Sequence, residues 1–342
     1  MKILVLKRDK IGDLLLTTPM LERLKAALPQ AQVHLLANDY NAWVVEGNPH
    51  FDRLWVYRRV KSGRRISLAA AWQWLRLRAQ LRRERYDWVI VGNGDESTRA
   101  VRLGLSLRGA RTVARCADAT RYPGLTDPLP PDPVNHEADK LMGLLAPLGI
   151  APPREVVFPA YRLPERAAAF ARGWLGARGL APGGYVLLGL GARRQKKQPS
   201  AAQILRWSAQ WKSQYGLDTV FSWTPGSADD PLYPGDDALA EPVIAEASLG
   251  RAPQIHAHRG SLEERLGLIW SARASVFPDS GLMHFAAASP GGVLGLFADI
   301  GVSANPAQWA PRGLRARWLA APKSVAELAD EELQRNLAPL LG

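Results

Sequence analysis

The sequence has little cysteine and no long apolar run, and each absence narrows the class of protein. Among 342 residues there is one cysteine, Cys116, which excludes an intramolecular disulfide and a cysteine-rich metal site and is typical of a reducing cytoplasm. No segment approaches the run of about 18 apolar residues that a membrane-spanning helix needs. Charged residues at 7–10 interrupt the apolar N-terminus too early for a signal peptide. We therefore expect a cytoplasmic protein.

Motifs that define several large enzyme classes are also missing. No G-x-G-x-x-G opens the first strand–helix unit and there is no Walker A motif, so dinucleotide and P-loop binding have little support. The absence of a G-x-S-x-G elbow argues against an α/β-hydrolase. There is no D-x-D motif, and the acidic pairs at 229–230 and 236–237 have no neighbouring histidine. We predict neither a bound metal nor a resident cofactor.

What the chain does have is positive charge. Its 44 Lys and Arg residues outnumber 32 Asp and Glu residues, for a formal net charge of +12. Such a balance attracts anionic partners such as phosphorylated sugars, acidic membrane surfaces or nucleic acid. No pattern of basic and aromatic residues matches a nucleic-acid module, so no nucleic-acid partner is predicted. The alternative is that arginine simply serves as a solvated surface residue.

Short apolar runs alternate with longer helical patterns along the chain. Strands that alternate with helices form a mostly parallel sheet covered on both faces. The predicted strands are 2–6, 31–37, 51–57, 86–94, 110–116, 185–191, 217–222, 254–258, 274–277 and 291–297. The pattern predicts an α/β protein of two doubly wound, Rossmann-like domains that face each other across a ligand-binding cleft.

Proline-rich segments divide the chain. Residues 122–136 contain five prolines, and the extended segment 149–165 is predicted to link the two domains. The predicted N-terminal domain is 1–160, for binding an acceptor, and the predicted C-terminal domain is 161–322, for binding a nucleotide sugar. Residues 323–342 are predicted to form a closing helix, for which packing back on the N-terminal domain is one arrangement considered.

The stretch "GDLLLTTP" places Asp13 after the first strand, at the edge of the sheet where such folds bind ligands. One interpretation is an ordinary helix cap, because Asp is common at helix starts. The other is a carboxylate held at the mouth of the cleft to accept a proton. Pro19 lacks a backbone N–H, so the helix pattern breaks near it or restarts with Thr18 as the cap. Taken alone, the residues leave both interpretations of Asp13 open.

Two segments of the second half combine features of an anion site. In "PDSGLMH", Asp279 and Ser280 can cap a helix, and Gly281 lets a ligand approach the backbone. His284 follows in the first turn of that helix. The loop "GARRQKKQPS" places Arg193, Arg194, Lys196 and Lys197 beyond a strand end, where cations would neutralise a diphosphate. The alternatives are a plain cap with a packing histidine and a solvated basic loop.

Taken in order, these segments resemble the bacterial lipopolysaccharide heptosyltransferase family, which is glycosyltransferase family nine with the GT-B fold. "ILVLKRDKIGDLLLTTPML" is similar to the family's opening strand, Gly-Asp and Pro-containing helix. "PDSGLMHFAA" is similar to its Asp-Thr-Gly-x-x-His-x-Ala-Ala pattern, with Ser280 in place of Thr. Lys196 stands at the lysine of the family's Lys-x-Trp-Pro loop, with Gln198 in place of Trp. "NPAQWAPRG" resembles the loop that follows.

The resemblance implies metal-independent, inverting transfer of a heptose from ADP-heptose to the inner core of lipopolysaccharide. It implies that Asp13 is the general base. Donor binding is implied for Lys196, Arg193, Asp279, Ser280, Gly281 and His284. The nucleotide sugar is a co-substrate, and the family's location implies a cytoplasmic protein in peripheral contact with the inner membrane.

The acceptor implied by the family is an acidic glycolipid. The loop "YRRVKSGRR" is a candidate for binding it, because arginine pairs well with phosphates and carboxylates. Its candidate side chains are Arg58, Arg59, Lys61, Arg64 and Arg65. The alternative is again a solvated loop.

Two other classes of function fit the same residues. One is a nucleotide-sugar epimerase or hydrolase of the same two-domain fold, which would need no glycolipid acceptor. The other is a non-catalytic protein that binds nucleotide sugars or glycans, in which the departures at Gln198, Ser280 and 298–300 would mark lost turnover. Neither the transferred sugar nor the oligomeric state follows from the sequence.

Overall fold

A computed structural model of the protein describes residues 1–59, 68–191, 195–230, 235–301 and 305–342, and the backbone alone of 61–62 and 65–66. The chain divides into two compact units, Met1–Arg162 and Leu163–Gly342. The division falls within the proline-rich segment that was predicted to link two domains. None of the described helices is both long and apolar enough to cross a bilayer.

The first unit is built on a six-stranded parallel sheet in the order β3-β2-β1-β6-β7-β8. Its strands are β1 (Lys2–Leu6), β2 (Gln32–Asn38), β3 (Arg53–Tyr57), β6 (Trp88–Val91), β7 (Arg111–Arg115) and β8 (Asp127–Leu129), and β4 (Lys61–Ser62) and β5 (Arg65–Ile66) form a separate short hairpin. The central strand β1 is an unbroken apolar run because helices cover both faces of the sheet. Leu4 pairs with His34 on one side and with Val89 on the other.

Helices connect these strands. They are α1 (Ile11–Leu15), α2 (Thr18–Ala27), α3 (Leu68–Arg83), α4 (Thr98–Ser106) and α5 (Glu137–Gly143). The break between α1 and α2 lies where Pro19 removes a backbone donor. Helix α2 begins at Thr18, so its N-cap is Thr17, one residue before the predicted cap, and Pro19 lies in its first turn.

The second unit repeats this topology with the order β11-β10-β9-β12-β13-β14. Its strands are β9 (Tyr185–Gly189), β10 (Asp218–Ser222), β11 (Ile255–His258), β12 (Ala274–Pro278), β13 (Val293–Ala298) and β14 (Ala316–Ala321). Its helices are α6 (Glu165–Gly176), α7 (Ala201–Tyr215), α8 (Asp237–Ser248), α9 (Leu262–Ser271), α10 (Gly281–Ala287), α11 (Pro306–Trp309) and α12 (Asp330–Leu341). Trp207 and Trp211 of α7 are fully buried in the hydrophobic core of the second unit.

The closing helix belongs to the second unit. Asp330, at the start of α12, accepts hydrogen bonds from Arg206 and from the Trp207 indole at 2.6 Å. Gln334 accepts one from the Trp211 indole at 3.0 Å. Helix α12 therefore covers the face of the second sheet on which α7 lies.

Helix α6 and the strands β8 and β14 are among the elements that were not predicted. Helix α6 follows a proline-rich stretch and contains many small residues, which obscured its period. Strands β8 and β14 lie at the edges of their sheets, where one neighbour suffices and a short or polar strand is tolerated. Pro128 lies in β8, a position that an edge strand can accommodate. Helix α5 ends at Gly143 and is followed by a 3₁₀ turn at Ala146–Leu148.

Candidate active site

In each sheet the strand order reverses between two central strands, β1 and β6 in the first unit and β9 and β12 in the second. Doubly wound folds bind ligands beyond the carboxyl ends of the strands at this switch point. The chain leaves the switch point of the first unit at Lys7 and Gly92, and that of the second at Leu190 and Asp279. The predicted Asp13 thus follows β1, and the predicted "PDSGLMH" segment follows β12, which is the counterpart of β6; each comes after one of the two strands that flank a switch point.

A buried lysine occupies the switch point of the first unit. The Lys7 side chain is fully buried, and its Nζ donates to the Gly92 carbonyl oxygen at 2.6 Å. It forms ion pairs with Asp9 at 3.2 Å and Glu137 at 3.6 Å. Burial lowers the pKa of Lys7, but the negative charges of Asp9, Asp13 and Glu137 outweigh it and raise the pKa. Lys7 therefore remains a cation inside the protein.

Side-chain amides fix the loop that follows Lys7. The Asn38 amide, at the end of β2, donates to the Arg8 carbonyl oxygen at 2.8 Å, and the Asn41 amide donates to that of Asp9 at 3.1 Å. The Asn93 amide, beyond the end of β6, donates to the Asp9 carboxylate. The loop is thus held by side chains from two neighbouring strand ends, which fixes where α1 begins.

Asp13 is the third residue of α1 and does not cap it. The N-cap is Lys10, which makes no capping hydrogen bond through its side chain. Burial raises the pKa of the Asp13 carboxyl, Lys7 opposes this, and Asp9 and Glu137 add to the increase. Among the described residues, none donates a hydrogen bond to its carboxylate. The helix-cap interpretation of Asp13 is therefore wrong, and the carboxylate is partly buried, raised in basicity and available to a ligand.

A second ion-pair system extends from this cluster. Lys140 of α5 is buried, pairs with Asp95 at 2.9 Å and lies 3.8 Å from Glu137. Glu137 therefore lies between two buried cations, Lys7 and Lys140. This chain of charges connects α5 with the loops after β1 and β6, and it fixes the surroundings of Asp13.

The predicted acceptor residues are only partly described. Arg58 and Arg59 lie exposed beyond β3, and Arg59 donates to Asp39 at 3.1 Å and lies over the Tyr40 ring. The side chains of Lys61 and Arg65, and all of Arg64, lie outside the described residues. Acceptor binding by this loop stays a prediction.

At the switch point of the second unit a lysine is again paired with an aspartate. Lys197 lies at the end of the 3₁₀ turn Gln195–Lys197 and forms an ion pair with Asp279, directly after β12. Lys196, the predicted donor residue, is 67% exposed and pairs with Asp299 at 3.6 Å. Arg193 lies outside the described residues. The structure therefore brings Lys197, rather than Lys196, into contact with the predicted Asp279.

The rest of the "PDSGLMH" segment forms the start of α10. Ser280 is at the N-cap, but its side chain makes no capping bond, and its buried Oγ has no hydrogen-bond partner among the described residues. Gly281 begins the helix. His284 is buried, with its ring centroid 6.5 Å from that of Trp309. These positions place the segment at the sheet edge, while its role in donor binding stays a prediction.

A buried polar cluster lies beside Lys197 in sequence and was not predicted. The Gln198 amide donates to the Asp236 carboxylate, whose other oxygen accepts the Thr224 backbone N–H at 3.1 Å. Burial raises the pKa of Asp236, and the Arg265 guanidinium lowers it. Burial also lowers the pKa of Arg265 to about 10. Gln198, which departs from the family pattern, thus has a defined structural partner.

Sequence reasoning missed Lys7, Asn93 and Glu137 as site residues. Lys7 and Asn93 could have been predicted from the sequence, because a polar residue just beyond a buried parallel strand lies at the ligand edge of the sheet. Glu137 carried none, since its partner is 130 positions away in sequence. Lys197 was named among the cations of its loop, but the family resemblance assigned donor binding to Lys196, and only the structure pairs Lys197 with Asp279.

The comparisons with known proteins concern the fold. No protein-family model and no curated protein matches the chain. A solved glycosyl transferase family 9 protein from Veillonella parvula has a TM-score of 0.78 at 21% identity, over 99% of this chain and 97% of that one.

Two E. coli structures also match. ADP-heptose LPS heptosyltransferase II has a TM-score of 0.75 at 19% identity, over 100% of this chain and 98% of that one. A heptosyltransferase solved with ADP has a TM-score of 0.72 at 16% identity, over 99% and 100% of the two chains. The chain is an α/β protein with the GT-B fold of glycosyltransferase family 9, and the fold predicted from the sequence is confirmed.

Proposed function

We propose that the protein is an inverting glycosyltransferase that moves a sugar, a heptose from ADP-heptose, onto a lipopolysaccharide core or a related glycan acceptor. The observation that carries the proposal is Asp13, a partly buried carboxylate of raised pKa at the ligand edge of the first sheet. The fold supports the reaction class, because solved structures of the same fold include heptosyltransferases.

Inversion requires one in-line displacement. The acceptor hydroxyl oxygen attacks the anomeric carbon, the bond from that carbon to the diphosphate breaks, and the hydroxyl proton passes to the base. A carboxylate whose pKa is raised by burial is a stronger base than an exposed one, while the charge of Lys7 opposes the increase and favours the ionised form. In the proposed mechanism Asp13 accepts this proton.

The leaving diphosphate gains negative charge as the bond breaks. In the second unit Lys197 and the backbone N–H groups at the start of α10 are the cations and donors placed at the ligand edge of the sheet. Stabilising charge that develops in the transition state is commonly a large contribution to catalysis. We assign the diphosphate to this edge, with Lys196 and His284 as further candidates. Among the described residues no three His, Cys, Asp or Glu side chains are grouped to hold a metal ion.

Two measurements test the proposal. Thermal stabilisation by ADP-, UDP- and GDP-sugars identifies the donor, because a ligand that binds the folded form raises the melting temperature. Incubation with ADP-heptose, with and without a core oligosaccharide acceptor, then shows what is made. Acceptor-dependent release of ADP with an inverted glycosidic product is expected.

Each competing function gives a different result. Conversion or hydrolysis of the nucleotide sugar without acceptor would identify an epimerase or hydrolase. Binding without turnover under either condition would identify a sugar-binding protein. Either result would overturn the proposed transfer.

A further inference from the structure

Helix α3 has two apolar faces, although only one of them packs against the protein. Its inner face contacts the first core, where Leu81 is fully buried and the Trp74 ring lies 5.0 Å from that of Tyr57. Its outer face presents Leu68, Trp72 and Leu75, which are 82%, 61% and 55% exposed. Spacings of four and three residues place these three side chains in one stripe.

The outer face of α3 is more apolar than expected for a helix that faces water. A surface helix ordinarily places charged and polar residues opposite its buried stripe. Here the side opposite the core carries a tryptophan and two leucines instead. Single exposed apolar residues need no explanation, but a contiguous stripe of large ones marks an interaction surface.

The charged residues next to this stripe in the sequence are all positive. Between Asp52 and Glu84 the sequence has ten Lys and Arg residues and no acidic one. On α3 itself, Arg76 and Arg83 are exposed on one side of the stripe, and Arg78 and Arg82 lie on the other. Arg58 is exposed nearby in sequence, beyond β3. The face therefore combines apolar side chains with cations in the manner of helices that lie in a membrane interface.

We propose that the outer face of α3 docks on a bilayer that contains anionic lipids. Trp72 would lie at the headgroup level with Leu68 and Leu75 in the acyl boundary, and the flanking arginines would bind lipid phosphates. The inference extends the proposed function, whose acceptor is a membrane glycolipid. Docking would hold the first unit, which carries Asp13, at the surface where such an acceptor resides.

Other occupants fit the face less well. In a two-fold dimer the same cationic stripe would meet itself, and like charges would repel. Nucleic acid would use the arginines, but Leu68 and Leu75 would gain nothing from phosphates. Only a surface that is both anionic and apolar satisfies both kinds of side chain.

Vesicle flotation tests the proposal without donor or acceptor, so its outcome is independent of sugar transfer. The full-length protein should bind vesicles of phosphatidylglycerol and phosphatidylethanolamine, and bind phosphatidylcholine vesicles weakly. The Trp72→Ser/Leu75→Ser variant should lose about tenfold or more in partitioning. The matched variant Leu249→Ser/Leu314→Ser removes exposed apolar residues from the second unit and should bind like the wild type.

Charge reversal gives a second comparison. Arg76→Glu/Arg83→Glu should weaken binding to the anionic vesicles about tenfold or more. Arg317→Glu/Arg335→Glu, at exposed positions of the second unit, makes the same change of net charge and should have a smaller effect. Equal losses for the two pairs would mean that net charge, not this face, drives binding, and would overturn the proposal.

A fluorescent label reports insertion directly. Leu75→Cys can be labelled selectively with an environment-sensitive dye, because Cys116 is buried. Its emission should shift to the blue on anionic vesicles, whereas a label at Leu249→Cys should not respond. No shift at Leu75→Cys, or a change of oligomeric state in Trp72→Ser/Leu75→Ser without a change in vesicle binding, would overturn the proposal.

Discussion

The two units share one topology but use their switch points differently. In the first, the buried cation Lys7 is surrounded by carboxylates, and one of these, Asp13, has no donor among the described residues. In the second, Lys197 is matched by one carboxylate, Asp279. The loop around Lys197 is otherwise rich in basic residues.

The difference shows how one fold can supply two kinds of chemistry. Burial, together with an excess of carboxylates around one cation, raises the pKa of the least paired carboxylate, which favours proton transfer. A surplus of cations at a sheet edge favours binding of a diphosphate. The predictions below test this division of roles.

Removing the Asp13 carboxylate should have the largest effect. Asp13→Asn should lower turnover about 10²–10⁴-fold, because proton transfer to a positioned base contributes a factor of that size. Donor-induced stabilisation should be unchanged, since the donor is assigned to the second unit. Steady-state kinetics and melting curves measure the two effects. Asp118→Asn, at an exposed aspartate, is the control, and wild-type turnover in Asp13→Asn would contradict the assigned base.

Neutralising the buried cation should chiefly affect stability. Lys7→Met leaves the buried Glu137 and the partly exposed Asp9 without their shared partner, which should cost about 3–5 kcal/mol in the free energy of unfolding. Lys2 lies on β1, the strand that precedes Lys7, and forms a partly exposed ion pair with Glu84. Lys2→Met removes this pair and should cost about 1 kcal/mol or less. Urea denaturation compares the two variants. Equal costs would show that the cluster around Lys7 is no more than a surface network.

In the second unit the two neighbouring lysines can be separated. Lys197→Ala should weaken donor binding about 10–100-fold, because it removes a cation and leaves Asp279 unpaired near the diphosphate. Lys196→Ala should have a small effect, since that side chain is exposed. Titration calorimetry with the donor identified in the stabilisation screen measures both. The reverse order would restore Lys196 as the donor lysine that the family resemblance implies.

The smallest expected effect is on melting temperature and its pH dependence. The pKa of Asp13 is raised above its ordinary value of 3.8, so the folded state binds this proton more tightly than the unfolded state. The free energy of unfolding contributed by this group therefore falls as the pH rises from the unfolded pKa to the folded pKa. Above the folded pKa the full cost of ionising the partly buried carboxyl is present. Asp13→Asn removes the penalty, so its melting temperature at neutral pH should equal or exceed that of the wild type. A lower value would mean that the carboxylate stabilises the fold.

The sequence was most informative where chemistry is local. The apolar runs at β1, β9 and β12 identified strands because both faces of a parallel sheet are buried. The sequence was least informative for β8 and β14, because each lies at the edge of its sheet and pairs with a single neighbouring strand. Helix α6 was missed because its alanines and glycines give little contrast between faces.

The candidate site divides in the same way. Asp13 and Asp279 follow strand ends, so their placement at a ligand edge could be predicted from the sequence. The partners of Lys7 could not, since Gly92 and Glu137 are distant in the chain and meet it through the order of strands and the position of α5. The raised pKa of Asp13 depends on those partners and on burial, and neither is visible in a linear pattern.

By itself, the sequence determined the α/β class, the two-part organisation and the positions of the two acidic motifs, because strand and helix periods and residues at strand ends are local properties. Tertiary structure alone decided that Lys7 is a buried cation, that Asp13 is not a cap, and that Lys197 is the lysine in contact with Asp279. These outcomes depend on which groups exclude water from one another. That is settled only when strands distant in sequence become neighbours.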